Sequence, residues 1–154
     1  MAARREDLGV QFGARGNATG LHDRCKAIIG DGMLKRGIRD MKLQELMNRC
    51  GLEAVQVPDS QVEVSGAYTS DLLSDVMAHC PEGAVLITVQ NHTNTVAVCT
   101  LVGSPAILIV HHRDVPDDML AVAEREGVAL LRTSEDQFSV SCKIGAEFAH
   151  ASGN

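Results

Sequence analysis

The apolar positions of this chain change their spacing several times, and each change predicts an element. In "MKLQELMNRCG", Leu43, Leu46 and Met47 share one face at helical spacing, and Gly51 stands where a helix ends in a left-handed residue. "EAVQV" and "VEVSG" have the form of short strands on either side of a turn, "PDSQ". Thr69 and Ser70 then offer capping hydroxyls to a helix with Leu72, Leu73, Val76 and Met77 as its buried stripe, ended by "CPEG". Three continuous apolar runs, "AVLITVQ", "AILIV" and "VALLRT", have the form of strands covered on both faces. "PDDMLAVAEREG" predicts a helix with Pro116 and two acids at its start and Gly127 as its stop. Ser134 and Gln137 make a capping-box pattern ahead of a last helix whose core face is Val140, Ile144 and Phe148.

"HTNTVAVCTLVG" supports two readings. Its Thr and Val content favours a strand. Parallel strands on either side of it, however, need a crossover of about a dozen residues, which Asn91 to Pro105 supplies. The crossover decides for a helix. The expected fold class is therefore α/β, with helices on both faces of a mostly parallel sheet of four or five strands.

Composition divides the 154 residues unevenly. Residues 1–40 hold seven glycines and no sustained apolar period, with eight Lys/Arg against five Asp/Glu. They read as a basic extension expected to be disordered, with Met41 as the expected start of a domain over 41–150. Residues 41–154 carry six Lys/Arg against fifteen Asp/Glu, and such an acidic surface repels phosphate backbones, which argues against nucleic acid as a partner. No apolar run reaches the roughly 18 residues of a membrane span, and the N-terminus has no apolar signal core. The five cysteines show neither a C-x-x-C pair nor zinc-ligand spacing, so they read as reduced thiols in a cytoplasmic protein.

In an open α/β sheet, ligands bind beyond the carboxyl ends of the strands, against helix N-termini. Three predicted turns fit that place. The first, Ser65 to Ser70, combines Gly66, where a backbone can approach a ligand, with hydroxyls and Tyr68, which can stack or pack. Asp71 and Asp75, four apart just beyond it, read as one solvated helix face or a subunit contact, since no third group completes an acid/base or metal set. The second turn, Gln90 to Asn94, places His92 at a helix start, where the dipole favours a neutral imidazole among uncharged donors and acceptors. The third holds His111, His112 and Asp114, the most metal-like set in the chain, but neighbours on an extended segment point to opposite sides, so a metal site is not expected.

The stretch "VEVSGAYTSDLLSDVMAHCPEGAVLITVQNHTNTVAV" resembles the DRTGG domain family through its "SDLLSDVMA" helix, its "ITVQ-x-H" strand and turn, and the spacing of the later strands. The similarity covers roughly Met41 to Phe148. At the signature position this chain has Glu63-Val64-Ser65-Gly66-Ala67, in which only Gly66 matches outright and the signature's Arg is missing. The resemblance implies a three-layer α/β/α sandwich, similar in fold to the N-terminal domains of HPr serine kinase/phosphorylase and of a Mur ligase. It also implies an accessory, regulatory role in dimer contacts. Kinase activity is excluded for this chain, which lacks the G-x-x-x-x-G-K-[ST] loop.

The expected function is thus a non-catalytic, homodimeric regulatory domain sensing an adenine nucleotide or another small anion, with no cofactor and no metal. Its expected ligand residues are Ser65, Gly66, Tyr68, Ser70, Gln90, His92 and Asn94. The alternative is a protein-interaction module docking on a partner enzyme without a ligand. A third reading, an enzyme using His92 with Asp71 or Asp75, requires those side chains to converge.

Overall fold

The computed structural model describes residues 40–150, with the side chain of His150 left aside; the expectation of a disordered extension over 1–40 falls almost wholly outside them. The elements run β1 (Met41–Lys42), α1 (Leu43–Cys50), β2 (Glu53–Gln56), β3 (Glu63–Val64), β4 (Gly66–Thr69), α2 (Leu73–His79) and β5 (Ala84–Thr88). They continue with α3 (Thr93–Val102), β6 (Ala106–Ile109), α4 (Asp117–Glu126), β7 (Ala129–Arg132) and α5 (Gln137–His150).

Five strands form the main sheet in the order β2-β7-β6-β5-β4, while β1 and β3 pair separately. From β4 to β7 the strands are parallel, and β2 joins β7 antiparallel with a register irregularity between Ala54 and Gln56. Each crossover advances the sheet by one strand in the same direction, so α2, α3 and α4 fall on one face. The pleat shows this directly. Leu86, Ile107, Ile109 and Leu130 pack with Val76, Val96, Cys99, Met119 and Ala123 of those helices. The alternate residues Val85, Ile87, Leu108 and Leu131 turn to the other face, against Leu43, Leu46 and Met47 of α1 and Val140, Ile144 and Phe148 of α5. The result is the expected three-layer α/β/α sandwich with a mostly parallel sheet. Among the described residues, no helix is long and apolar enough to cross a membrane.

Several local expectations change. The predicted turn from Ser65 to Ser70 is largely a strand: Gly66 to Thr69 pair in parallel with Ala84 to Ile87. Ladder hydrogen bonds along β5 outweigh the turn preference of the small residues. Thr69 is therefore unavailable as a cap, and α2 begins at Leu73, with the Ser70 hydroxyl accepting only from Leu72 N at 3.3 Å. The predicted stripe fails with it. Only Val76 of α2 is buried, while Leu72 lies before the helix and is 64% exposed and Met77 is 50% exposed. The box at Ser134 is replaced by Asp136, whose carboxylate accepts from Ser139 N at 2.8 Å and from the Ser139 hydroxyl at 3.0 Å. "HTNTVAVCTLVG" does form the crossover helix α3, and Gly51 ends α1 at φ 65° as its position predicts.

Candidate functional site

Parallel strands β4 to β7 share one carboxyl edge, where Ser70-Asp71, Thr88 to Thr93, Val110 to Asp114 and Thr133 to Gln137 leave the sheet. Asp71 organises one side of this rim. Its Oδ1 accepts from the Thr88 hydroxyl at 2.9 Å, from Val89 N at 2.8 Å and from Gln137 Nε2 at 2.9 Å. Gln90 Nε2 in turn donates to the Asp71 carbonyl at 3.2 Å. One carboxylate thus ties the exits of β4 and β5 to the start of α5.

Asp75 has a different task. Its carboxylate accepts from the Tyr68 hydroxyl at 2.8 Å and meets His79 Nδ1 at 3.0 Å. The Tyr68 contact, helped by Ser70 and His79, holds the Asp75 carboxyl below the usual carboxylate range. The same hydrogen bond raises the Tyr68 phenol above its ordinary value. The two aspartates are therefore not a pair on one solvated helix face, because Asp71 lies before α2 and both carboxylates are engaged within the fold. Neither hydrogen-bonds to His92, so the convergence that a catalytic reading needs is missing from this geometry.

The other side of the rim is richer in donors. His92 occupies the N-cap of α3, where its Nδ1 accepts from Asn94 N at 3.2 Å. Asn91 Nδ2 donates to the Asp114 carbonyl at 2.7 Å, joining the β5–α3 turn to the β6–α4 turn. In that second turn His111 and His112 both adopt left-handed backbone, φ 58° and 49°, rather than the extended form expected from sequence. The conformation is held from below: His111 N donates to Glu135 O at 3.0 Å, and His112 N to Thr133 O at 2.7 Å. His112 Nε2 lies 3.4 Å from Glu53 Oε2, so the second imidazole sits beside the Glu53–Arg132 ion pair. Among the described residues, no group of three or more His, Cys, Asp and Glu is placed to hold a metal ion. Arg113, beside them and exposed, forms no ion pair among the described residues.

The seven residues expected to bind ligand do not meet at one place. Gln90, His92 and Asn94 share the carboxyl rim, with Ser70 at its margin. Ser65 and Gly66 lie at the opposite, amino end of β4, where Ser65 N donates to Gly83 O at 2.9 Å and its hydroxyl to Glu82 O at 3.1 Å. A side chain at Gly83 would put its Cβ 2.8 Å from that hydroxyl, and the backbone there is left-handed at φ 80°, so the position favours glycine. Ser65 and Gly66 open into a groove of about 250 Å³ between β4 and α5, lined further by Thr69, Ile87, Ser141 and Ile144. Tyr68 faces away from that groove and packs on the α2 side. Arg113 lies in the third predicted turn but is not singled out there by sequence as a ligand residue, because only the Asn91–Asp114 contact, which no local pattern encodes, ties that turn to the β5–α3 turn.

The described cysteines Cys50, Cys80, Cys99 and Cys142 are free thiols. Burial pushes the Cys99 thiol up to about 12, so it packs as an inert apolar group.

No protein-family model matches the chain, and no curated protein sequence matches it. Among solved structures it is similar to the CBS and DRTGG domains of the regulatory region of the Clostridium perfringens pyrophosphatase, crystallised with the activator diadenosine tetraphosphate. The TM-score is 0.56 at 12% identity, over 67% of this chain and 45% of that one. The likeness is one of fold, and this chain spans less than half the length of that regulatory region.

Proposed function

We propose that this chain is a non-catalytic regulatory domain that works as a homodimer and senses an adenine nucleotide or a related phosphate-bearing ligand. The observation that carries the reading is the donor-rich rim at the carboxyl ends of β5 and β6. There Asn91 joins two turns, the N-terminus of the ten-residue α3 faces out beside His92 and Asn94, and Arg113 stands without an ion-pair partner among the described residues. A helix N-terminus and a guanidinium are complementary to phosphate oxygens. Gln90 would orient the neighbouring backbone, and Ser70 would border the site. Support comes also from the fold likeness, since the regulatory region it resembles was crystallised with a dinucleotide activator. Ser65, Gly66 and Tyr68 take no part at this rim; in this reading they serve the β4 edge and the packing of α2.

The test is thermal unfolding of the full chain with ATP, ADP, AMP, diadenosine tetraphosphate and inorganic phosphate. A ligand at a hundred times its Kd adds about 2.7 kcal/mol to the folded state. That raises Tm by several degrees in a domain this size. Arg113→Ala should remove most of the shift without lowering the unliganded Tm, whereas His92→Ala should remove it while also lowering the unliganded Tm slightly, since it deletes the α3 cap. An unchanged Tm with all five compounds would overturn the sensing role. It would favour docking on a partner enzyme, a reading that draws on the exposed Leu72 and Phe138.

A further inference from the structure

We infer that the outer edge of β4, which no strand among the described residues pairs, is the dimer surface, and that two copies meet there about a two-fold axis through Tyr68, joining their sheets and packing α5 against its symmetry mate. This rests on the homodimeric reading above and names its face.

The two edges of the main sheet are differently defended. The β2 edge carries Glu53, an irregular register and Pro58 just beyond, all features that discourage another strand from adding. The β4 edge is Gly66-Ala67-Tyr68-Thr69, with no charge, no proline and an unbroken register. Its hydrogen-bonding phase is fixed by the bond from Ser70 N to Ile87 O at 3.2 Å. With Thr69 opposite Ile87, that bond turns the amides of Tyr68 and Ser70 toward β5 and those of Ala67 and Thr69 outward.

That phase suits a second copy. An antiparallel pair related by a two-fold axis normal to the sheet keeps each residue on its own face, so opposed residues must share parity. Centring the axis on Tyr68 sets Ala67 opposite the other copy's Thr69, and both are residues whose N–H and C=O face outward. Four backbone hydrogen bonds follow, with the two Tyr68 residues forming the central pair that exchanges none.

Charge points to the same occupant. The chain is formally −6, so two copies repel except through an uncharged face. The charged side chains of α5 turn to the far side: Lys143 pairs with Glu135, and Glu147 with Arg49 of α1. Toward the β4 edge α5 presents Phe138, 80% exposed, with Ser141 bonded to Thr69 at 2.7 Å and Gly145 on the groove. Since α5 lies over β4 and β5, strand pairing at about 4.8 Å would bring the two α5 axes to roughly 10 Å. Helices in contact pack at about 8–10 Å, and the small side of α5 fits that approach.

The experiment measures native mass and residue-resolved amide hydrogen exchange on the full chain without nucleotide, so failure of ligand sensing does not affect it. The expected result is a dimer at micromolar concentration with slowed exchange at Ala67 and Thr69. Gly145→Glu has open space for its side chain on a helix and so leaves the fold intact, while setting two carboxylates across the axis. It should raise the dimer Kd at least a hundredfold and restore fast exchange at both amides. Phe138→Ser should raise it about tenfold. A monomer at every concentration would overturn the inference. So would a dimer in which Ala67 and Thr69 exchange fast, or one indifferent to Gly145→Glu.

Discussion

Both edges of the sheet are fastened by one acidic side chain, yet the two fastenings differ in kind. At the β2 edge, Glu53 grips Arg132 through two hydrogen bonds, 2.6 and 3.1 Å, with His112 nearby. That clamp is made of charges, and Glu53 is 46% exposed. At the β4 edge, Asp71 accepts from a hydroxyl, a backbone amide and a side-chain amide, none of them charged, in a part-buried setting. An exposed ion pair gains little over hydration, whereas removing an acceptor from partly buried donors leaves them unsatisfied. The weight of a carboxylate is thus set by where its partners sit, and the edge that looks less polar is the one held more firmly.

The largest expected effect tests that ranking. Asp71→Ala removes the shared acceptor of Thr88, Val89 and Gln137, and should cost about 3 kcal/mol in urea unfolding. Asp71→Asn keeps an acceptor oxygen and should restore more than half of that. If Asp71→Ala costs no more than Glu53→Gln, the contrast between the edges is wrong.

The layers of this fold were legible because continuous apolar runs and helical spacing report burial directly. Val85 to Ile87, Ile107 to Ile109 and Leu130 to Leu131 are the centre of the sheet, and their neighbours in sequence carry the crossover helices. The β4 region was less legible. "SGAYTS" has the composition of a turn, and only pairing with β5, eighteen residues further on, makes it a strand. Asp71 and Asp75 looked like helix neighbours because a four-residue spacing is informative only inside a helix, and α2 starts between them. Of the candidate site, His92 at the start of α3 could be read from the chain. The left-handed His111 and His112 could not, since their conformation is imposed by the Glu135 and Thr133 carbonyls on the neighbouring strand's exit.

A second, smaller difference between the edges is their response to pH. The Asp75 carboxyl is held low and the Tyr68 phenol high by their mutual hydrogen bond. A depressed carboxyl contributes stability above its unfolded value near 3.9, and loses it as pH falls through the folded value. A raised phenol contributes below its unfolded value near 10, and loses it as pH rises through the folded one. The Tyr68–Asp75 contact therefore weakens at both extremes. Glu53, held low chiefly by its Arg132 hydrogen bond, weakens the β2 edge in acid, while Arg132, raised by the same bond, keeps its charge to more alkaline pH than that at which the Tyr68 phenol ionises. Tyr68→Phe should accordingly flatten the alkaline limb of Tm against pH and reduce part of the acid limb. An alkaline limb unchanged in Tyr68→Phe would place that sensitivity elsewhere in the molecule.

The smallest effect is expected from Glu53→Gln, and salt is the variable that makes it informative. With Glu53 46% exposed, its attraction to Arg132 passes in part through water and is screened over about 8 Å at physiological ionic strength and about 3 Å at 1 M. Urea unfolding of the wild type and of Glu53→Gln should differ slightly at low salt and coincide at 1 M. The difference between wild type and Asp71→Asn should persist across the same range, because its donors are neutral and partly sheltered. If the Glu53→Gln difference also survived 1 M salt, the bidentate geometry with Arg132, which is only 19% exposed, would be acting as a sheltered hydrogen-bonded pair. The two edges would then be fastened by the same physics, and only the outward amides of β4 would still set them apart.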